Sequence, residues 1–170
     1  MILNKVTGKF FRTALVSLLL VAVSPSLCAA ESDIPKAENL AEIGRMSLEQ
    51  GVPVVVFVSR DACPYCRTLR DKILRPMLLA GKFEQRAILV EASLDAVDPL
   101  ISFENSQVSS KAFGDSYKAM ITPTLLFLDA EGHEIGKRII GISNLEFYGH
   151  YLQKSIDAAL LVLSEEAPKN

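Results

Sequence analysis

Residues 52–80 read VPVVVFVSRDACPYCRTLRDKILRPMLLA, and the fold depends on how this stretch is divided. Val52 to Val58 is an apolar run rich in β-branched residues, the composition of a strand buried on both faces. Asp61-Ala62-Cys63-Pro64-Tyr65-Cys66 follows. Arg67 to Ala80 then carries Leu69, Ile73, Leu74, Met77 and Leu78 at helical spacing. The division is therefore a strand, then a helix whose first turn holds both cysteines. Pro64 fits that turn, because the first N–H groups of a helix have no partner inside it. Pro76 falls within the same pattern and should kink or divide the helix.

On the N-terminal side, Pro35 suits a helix N1 position and Gly51 falls just past the end. Between them Ala37, Leu40, Ala41, Ile43, Gly44 and Leu48 make an approximate helical stripe. On the C-terminal side, Ala87 to Leu94 reads as a second buried strand. Asp95 to Ser110 is irregular, and Ala112 to Tyr117 is a short helix. Thr124 to Leu128 reads as a third strand, Asp129 to Gly132 as a turn and His133 to Gly141 as a fourth strand. Ser143 with Glu146 makes a capping box. A long last helix follows, with Phe147, Tyr148, Tyr151, Leu152, Ile156, Ala159, Leu160 and Leu163 as its stripe. The Phe147, Tyr148 and Tyr151 cluster reads as core packing, and Ala167 to Asn170 as a frayed tail.

The fold class that results is α/β. The first strand–helix–strand crossover should be parallel, and the short turn at 129–132 forces an antiparallel last pair. A central mixed four-stranded sheet flanked by helices is expected. No internal repeat or interdomain linker is visible.

Composition narrows the function. The 170 residues are 49% apolar and 22% charged, with 18 basic and 20 acidic side chains. A core can be filled, and there is no basic footprint for nucleic acid. Three cysteines and two histidines are too few for a disulfide-framework miniprotein or a zinc ribbon. The first thirty residues carry Lys5, Lys9 and Arg12, then an apolar run from Ala14 to Val23, then Cys28-Ala29-Ala30. That is the pattern of a secretory signal peptide, with cleavage expected after Ala30. The run is shorter than the ~20 residues a spanning helix needs. Removing residues 1–30 leaves 140 residues at a net charge of −5, and Cys63 and Cys66 as the remaining cysteines.

Two cysteines separated by two residues at a helix start can close a disulfide or open to a dithiol. Thiolate is the attacking species, and the helix N-terminus stabilises negative charge on the first sulfur. Cys63 is expected to attack substrate disulfides, and Cys66, one turn deeper, to resolve the mixed disulfide. The competing readings are an inert surface disulfide and half of a zinc site. For zinc, only His133 and His150 are left as partners, on a turn and a distant helix. No metal site and no bound cofactor are expected, because the dithiol itself carries two electrons. Arg60, Arg67 and Arg70 flank the motif and read as solvated charges, partly offset by Asp61 and Asp71.

These residues resemble the thioredoxin superfamily. A second anchor is Ile121-Thr122-Pro123-Thr124-Leu125-Leu126-Phe127-Leu128-Asp129-Ala130-Glu131-Gly132, which is similar to the family's cis-proline loop, next strand and hairpin turn. The resemblance covers roughly residues 36–163 within a domain of residues 31–170. It implies a thioredoxin-like fold, a redox-active Cys63–Cys66 pair, and a cis Pro123 set against that pair. Thr122 and Pro123, with Pro64 and Tyr65, would then face substrate.

Three features depart from the family. Pro64-Tyr65 is the glutaredoxin dipeptide, whereas Thr122 before Pro123 resembles periplasmic disulfide isomerases. Cys66 and Pro123 are 57 residues apart, which places an insertion around residues 95–110. The buried acid that thioredoxins carry six positions before the first cysteine is Phe57 here, and Glu91 stands where a neighbouring lysine would. Glu91, in the apolar strand Ala87 to Ala92, is accordingly expected to accept the Cys66 proton with a raised pKa.

The implied function is a periplasmic thiol–disulfide oxidoreductase that reduces or isomerises disulfides in exported proteins. It would be a monomer fed by a membrane thiol electron donor. The alternatives are a disulfide-forming oxidase and, in a different class, a thioredoxin-fold thiol scaffold for binding or metal delivery.

Overall fold

The computed structural model describes residues 33–166. The expected signal peptide at 1–30 and the expected tail at Ala167 to Asn170 lie outside the described residues.

Helix α1 (Leu40–Gln50) starts at Leu40 and not near Pro35. The cap is Asn39, whose side chain accepts the Glu42 N–H at 3.0 Å. The residues before it are spent on the sheet. The Ala37 N–H donates to the Glu91 carbonyl at 2.8 Å, and the Glu91 N–H donates to the Pro35 carbonyl at 2.7 Å. Proline suits this edge because its missing N–H is not needed for the ladder. The helix ends where expected, at Gly51 with φ 64°, a left-handed position that glycine takes without a Cβ penalty.

Strand β1 (Val54–Ser59) is buried along its whole length. It runs parallel to β2 (Ile88–Ser93) and antiparallel to β5 (Thr124–Leu128), and β5 carries the short β6 (Ile139–Ile140). The sheet order is β2-β1-β5-β6, the mixed four-stranded sheet the sequence predicts. Alternation divides β1 between two cores. Val55 and Phe57 pack with Cys63, Cys66, Leu69 and the last helix, α5 (Leu145–Glu166). Val54, Val56 and Val58 pack with Leu40 and Phe113 on the other face.

The cysteine-bearing run is α2 (Pro64–Leu69), a π-helical turn (Arg70–Leu74) and α3 (Arg75–Leu79). Pro76 is expected to kink or divide the helix, but the backbone stays right-handed helical through Leu74 and Arg75 and the run changes only its hydrogen-bond pattern. The proline offers no N–H and its ring crowds the carbonyl four residues earlier, and the wider π turn precedes it.

Four further expectations need correction. Of His133 to Gly141, Ile139–Ile140 forms strand, with an isolated bridge between Leu128 and Glu134. Between these, Gly136 lies so close to Phe127 that a Cβ would sit 2.9 Å from the Phe127 Cβ, and the Arg138 guanidinium turns to the Tyr117 carbonyl at 2.7 Å. The cap of α5 is Asn144 and not Ser143, its side-chain oxygen accepting the N–H groups of Glu146 and Phe147 at 3.0 and 3.3 Å. Of the aromatic cluster on α5, Tyr148 is core, whereas Phe147 and Tyr151 are half exposed. The 95–110 segment is also more ordered than its composition suggests. It holds a small antiparallel pair, β3 (Leu100–Ile101) and β4 (Gln107–Val108), before α4 (Ser110–Ser116).

Gly44 seats α1 on the turn at 129–132, since a Cβ there would drive into the backbone oxygen of Ala130. Gly44→Ala is expected to cost about 1–3 kcal/mol through this clash, although alanine favours a helix by about 1 kcal/mol. A lower urea midpoint at unchanged slope checks it. An unchanged midpoint means that α1 is not seated there.

Candidate active site

Cys63 is the N-cap of α2. Its backbone is extended, at φ −113° and ψ 101°, and its sulfur accepts the Cys66 N–H at 3.0 Å. The side chain thus takes the place of a serine or aspartate cap, against the positive end of the helical run. Pro64 occupies the first helical position, where no N–H is required. Cys63 and Cys66 are joined by a disulfide with their Cα atoms 5.2 Å apart. The two sulfurs are not equivalent, because Cys66 is fully buried and Cys63 keeps 8% of its surface.

The second wall comes from the segment leading into β5. The Thr122–Pro123 peptide bond is cis. The Thr122 hydroxyl donates to the Cys63 sulfur at 3.6 Å, a hydrogen-bond distance for an atom of that size. Two bonds hold this loop. The Pro123 carbonyl accepts the Gly141 N–H at 2.8 Å, and the Thr124 hydroxyl donates to the Ile121 carbonyl at 2.7 Å. Tyr65 and Ile121 stand out from the surface on the two sides, each 66% exposed.

The loop between β1 and α2 is held by a residue that sequence reasoning missed. Asp95 accepts from the Arg60 guanidinium and from the Asp61 N–H, both at 3.1 Å, while the Ser93 hydroxyl donates to Asp61 at 3.1 Å. These contacts bridge more than 30 residues, and no local pattern announces them.

Glu91 does not lie in the surroundings expected of it. It shares a face of β2 with Leu89, on the cysteine side of the sheet. Its carboxylate is engaged on both oxygens: Arg70 donates through Nε to Oε2 at 3.0 Å and through Nη2 to Oε1, and the buried Ser59 hydroxyl also donates to Oε1. A proton acceptor of that kind calls for a lone carboxylate among apolar groups, whereas Glu91 is held in a two-point ion pair with Arg70. The physical premise for Glu91 as acceptor of the Cys66 proton is therefore not met. Arg70 is corrected with it. Rather than being solvated, it stacks over Phe57, with the guanidinium carbon 5.5 Å from the ring centroid. Glu91 beside it holds its protonated form more firmly than usual.

Among the described residues, one cluster has metal-ligand spacing: Asp129, Glu131 and His133. It sits at the far end of β5 from Thr122 and Pro123, and the Asp129 carboxylate already accepts the backbone N–H groups of Glu131 and His133 at 2.9 and 2.8 Å. Both His133 and His150 are exposed.

A disulfide at a helix start, one sulfur reachable and the other buried, beside a cis-proline loop, is the arrangement of a thiol–disulfide oxidoreductase. A thioredoxin-like domain family model matches residues 43–156, and the chain belongs to that family. No curated protein matches the sequence. Among solved structures it is similar to a DsbH oxidoreductase, with a TM-score of 0.56 and 20% identity over 91% of this chain and 95% of that one. A variant of poplar thioredoxin h gives a TM-score of 0.50 and 17% identity over 81% and 90% of the two chains. Thioredoxin from Fasciola hepatica gives 0.49 and 18% over 73% and 97%.

The Thr122 hydroxyl becomes a stronger donor partner once the disulfide is reduced and Cys63 bears negative charge. Thr122→Val keeps the shape and removes that bond. The Cys63 pKa, followed by thiolate absorbance, is expected to rise by about one unit, the equivalent of one hydrogen bond to a charged group. An unchanged titration removes Thr122 from the thiolate's environment.

Proposed function

We propose that the chain is an exported thiol–disulfide oxidoreductase that reduces or isomerises disulfides in other exported proteins. The observation that carries this reading is the asymmetry of the pair, with Cys63 capping the helix and keeping 8% of its surface exposed while Cys66 is wholly buried. In the dithiol state, Cys63 as thiolate attacks a substrate sulfur. A mixed disulfide forms and the substrate's other sulfur leaves as thiolate. Cys66 then attacks the Cys63 sulfur, which closes the internal disulfide, releases the reduced substrate and leaves two electrons with it. Pro64 and Tyr65 on one side, with Thr122 and Pro123 on the other, form the surface across which the substrate chain lies.

Export rests on the signal-peptide pattern of residues 1–30. In an oxidising compartment such as the periplasm, the dithiol must be regenerated by a thiol donor in the membrane. The chain acts as a monomer. The DsbH protein that it resembles over nearly its whole extent is an oxidoreductase, in agreement with this activity.

Cys66→Ser removes the resolving sulfur and leaves Cys63 able to attack. Expressed with its leader, this variant is expected to accumulate clients joined to Cys63 by bonds that reducing agent releases. A trap that captures nothing in the exported compartment overturns the proposal. A reduction potential on the order of −270 mV fits the reducing direction, and one near about −120 mV reassigns the chain to disulfide formation.

A further inference from the structure

Behind the disulfide, the structure holds a charge pair that the mechanism above does not use. Arg70 follows Cys66 by four residues, one turn along the same side of the helical run, and its N–H bonds back to the Cys66 carbonyl. Its side chain crosses the ring of Phe57, which is fully buried in the same cluster as Cys63 and Cys66. Beyond the ring it meets Glu91, which lies opposite Phe57 in the β1–β2 register. The side chains of Arg70 and Glu91 are 22% and 12% exposed. Ser59, wholly buried at the end of β1, fixes one carboxylate oxygen from behind.

Of the other charges around the pair, Arg75 and Asp33 are matched, whereas Lys36, Glu38 and Asp98 form no ion pair among the described residues. Arg75 binds Asp33 at 2.8 Å and Asp71 at 2.9 Å, and Lys36 lies on the extended segment that bridges to the Glu91 backbone. Arg70 and Glu91 also line one wall of a cavity of about 650 Å³ at the sheet edge, together with Arg75, Asp33 and Lys36. One side of the pair thus meets open space and the other the packed face that carries the cysteines.

Taking the redox role of Cys63 and Cys66 as proposed above, we infer that Arg70 and Glu91 are opposed positioning residues, each cancelling the shift in the reduction potential of the disulfide that the other alone would impose. The disulfide is neutral. Its two-electron reduction with one proton gives a thiol and a thiolate. A cation nearby therefore favours the reduced state and an anion disfavours it, most strongly where water is excluded. Arg70 alone would make the disulfide more oxidising, and Glu91 cancels that field.

The test equilibrates the purified chain with reduced and oxidised glutathione, one glutathione disulfide forming per protein disulfide reduced. Glu91→Gln, which frees the guanidinium, is expected to favour the dithiol about tenfold, equivalent to about 30 mV for a two-electron couple. Arg70→Met, which frees the carboxylate, is expected to move the constant by a similar factor the other way. The double variant should return to within about threefold of the parent, and Arg70→Lys, which keeps the charge, should stay there as well. A pair with a merely structural role would lower stability in both single variants without shifts of opposite sign. Shifts in the same direction, or none beyond about threefold, overturn the inference. If Arg70→Met does not fold, Glu91→Gln and Arg70→Lys decide the matter: the first must shift and the second must not. Client capture by Cys66→Ser is independent of these constants. A failed trap with the shifts intact removes the proposed function alone, and lost shifts with a working trap remove the role of the pair alone.

Discussion

The sulfur of Cys63 is held from two directions by backbone and side-chain donors that reach it from distant parts of the chain. The Cys66 N–H caps it from the helix side and the Thr122 hydroxyl meets it from the loop side. Neither donor would be in place without β1, which delivers the cysteine loop and pairs along its length with both β2 and β5. Because β1 is buried on both faces, its register is fixed by two separate cores, and a slip of one residue would exchange them. The precision of the site is inherited from that strand. The Asp95 contacts to Arg60 and Asp61 then hold the short connection between strand and helix.

Much of this frame was legible because the signals were local. The apolar run at 52–58, the proline after the first cysteine, Gly51 as a helix stop and the Asp129–Gly132 turn each act within a few residues, and each is found where its chemistry puts it. The misreadings came where two local solutions competed. Pro35 is acceptable at a helix N1, but it is equally acceptable at a sheet edge, and the unpaired edge of β2 at Glu91 takes the segment. Ser143 and Asn144 are both good caps, and the amide oxygen of Asn144 reaches the N–H groups. The expected fourth strand is shortened to Ile139–Ile140, because at Gly136 the chain makes a close approach to Phe127 that cannot be foreseen from alternation alone.

The candidate site divides in the same way. Cys63, Cys66, Thr122 and Pro123 could be picked out because the types and spacings are distinctive, and the fold brings all four together. Glu91 stands out through the family resemblance, as a carboxylate in an apolar strand where a lysine is expected, but that position says nothing of who faces it. Its partner is 21 residues away on another element, and the charge that made Glu91 conspicuous is the charge that Arg70 neutralises. The arginine itself lay within a cluster of three. Position on the helix separates it from Arg67, which is exposed, and that separation appears only once the turn at 70–74 is built.

The Arg70–Glu91 pair is also poorly explained by stability alone. Partly buried charges give up hydration, and an apolar pair of similar volume often serves a fold as well or better. The packing beneath the cysteines does not require it either, since Phe57, Leu69 and Leu89 already fill that face. What a matched pair adds that an apolar pair cannot is a local field with two adjustable components of opposite sign, one carried on the helix that bears Cys66 and the other on the neighbouring strand. Ser59 increases the commitment of the carboxylate by donating to it from a wholly buried position, so the anion stays in register with the cation and does not swing into the cavity beside it. With its cation carried one helical turn beyond Cys66, a charge pair held this firmly leaves the disulfide chemistry unshifted only while both members are present.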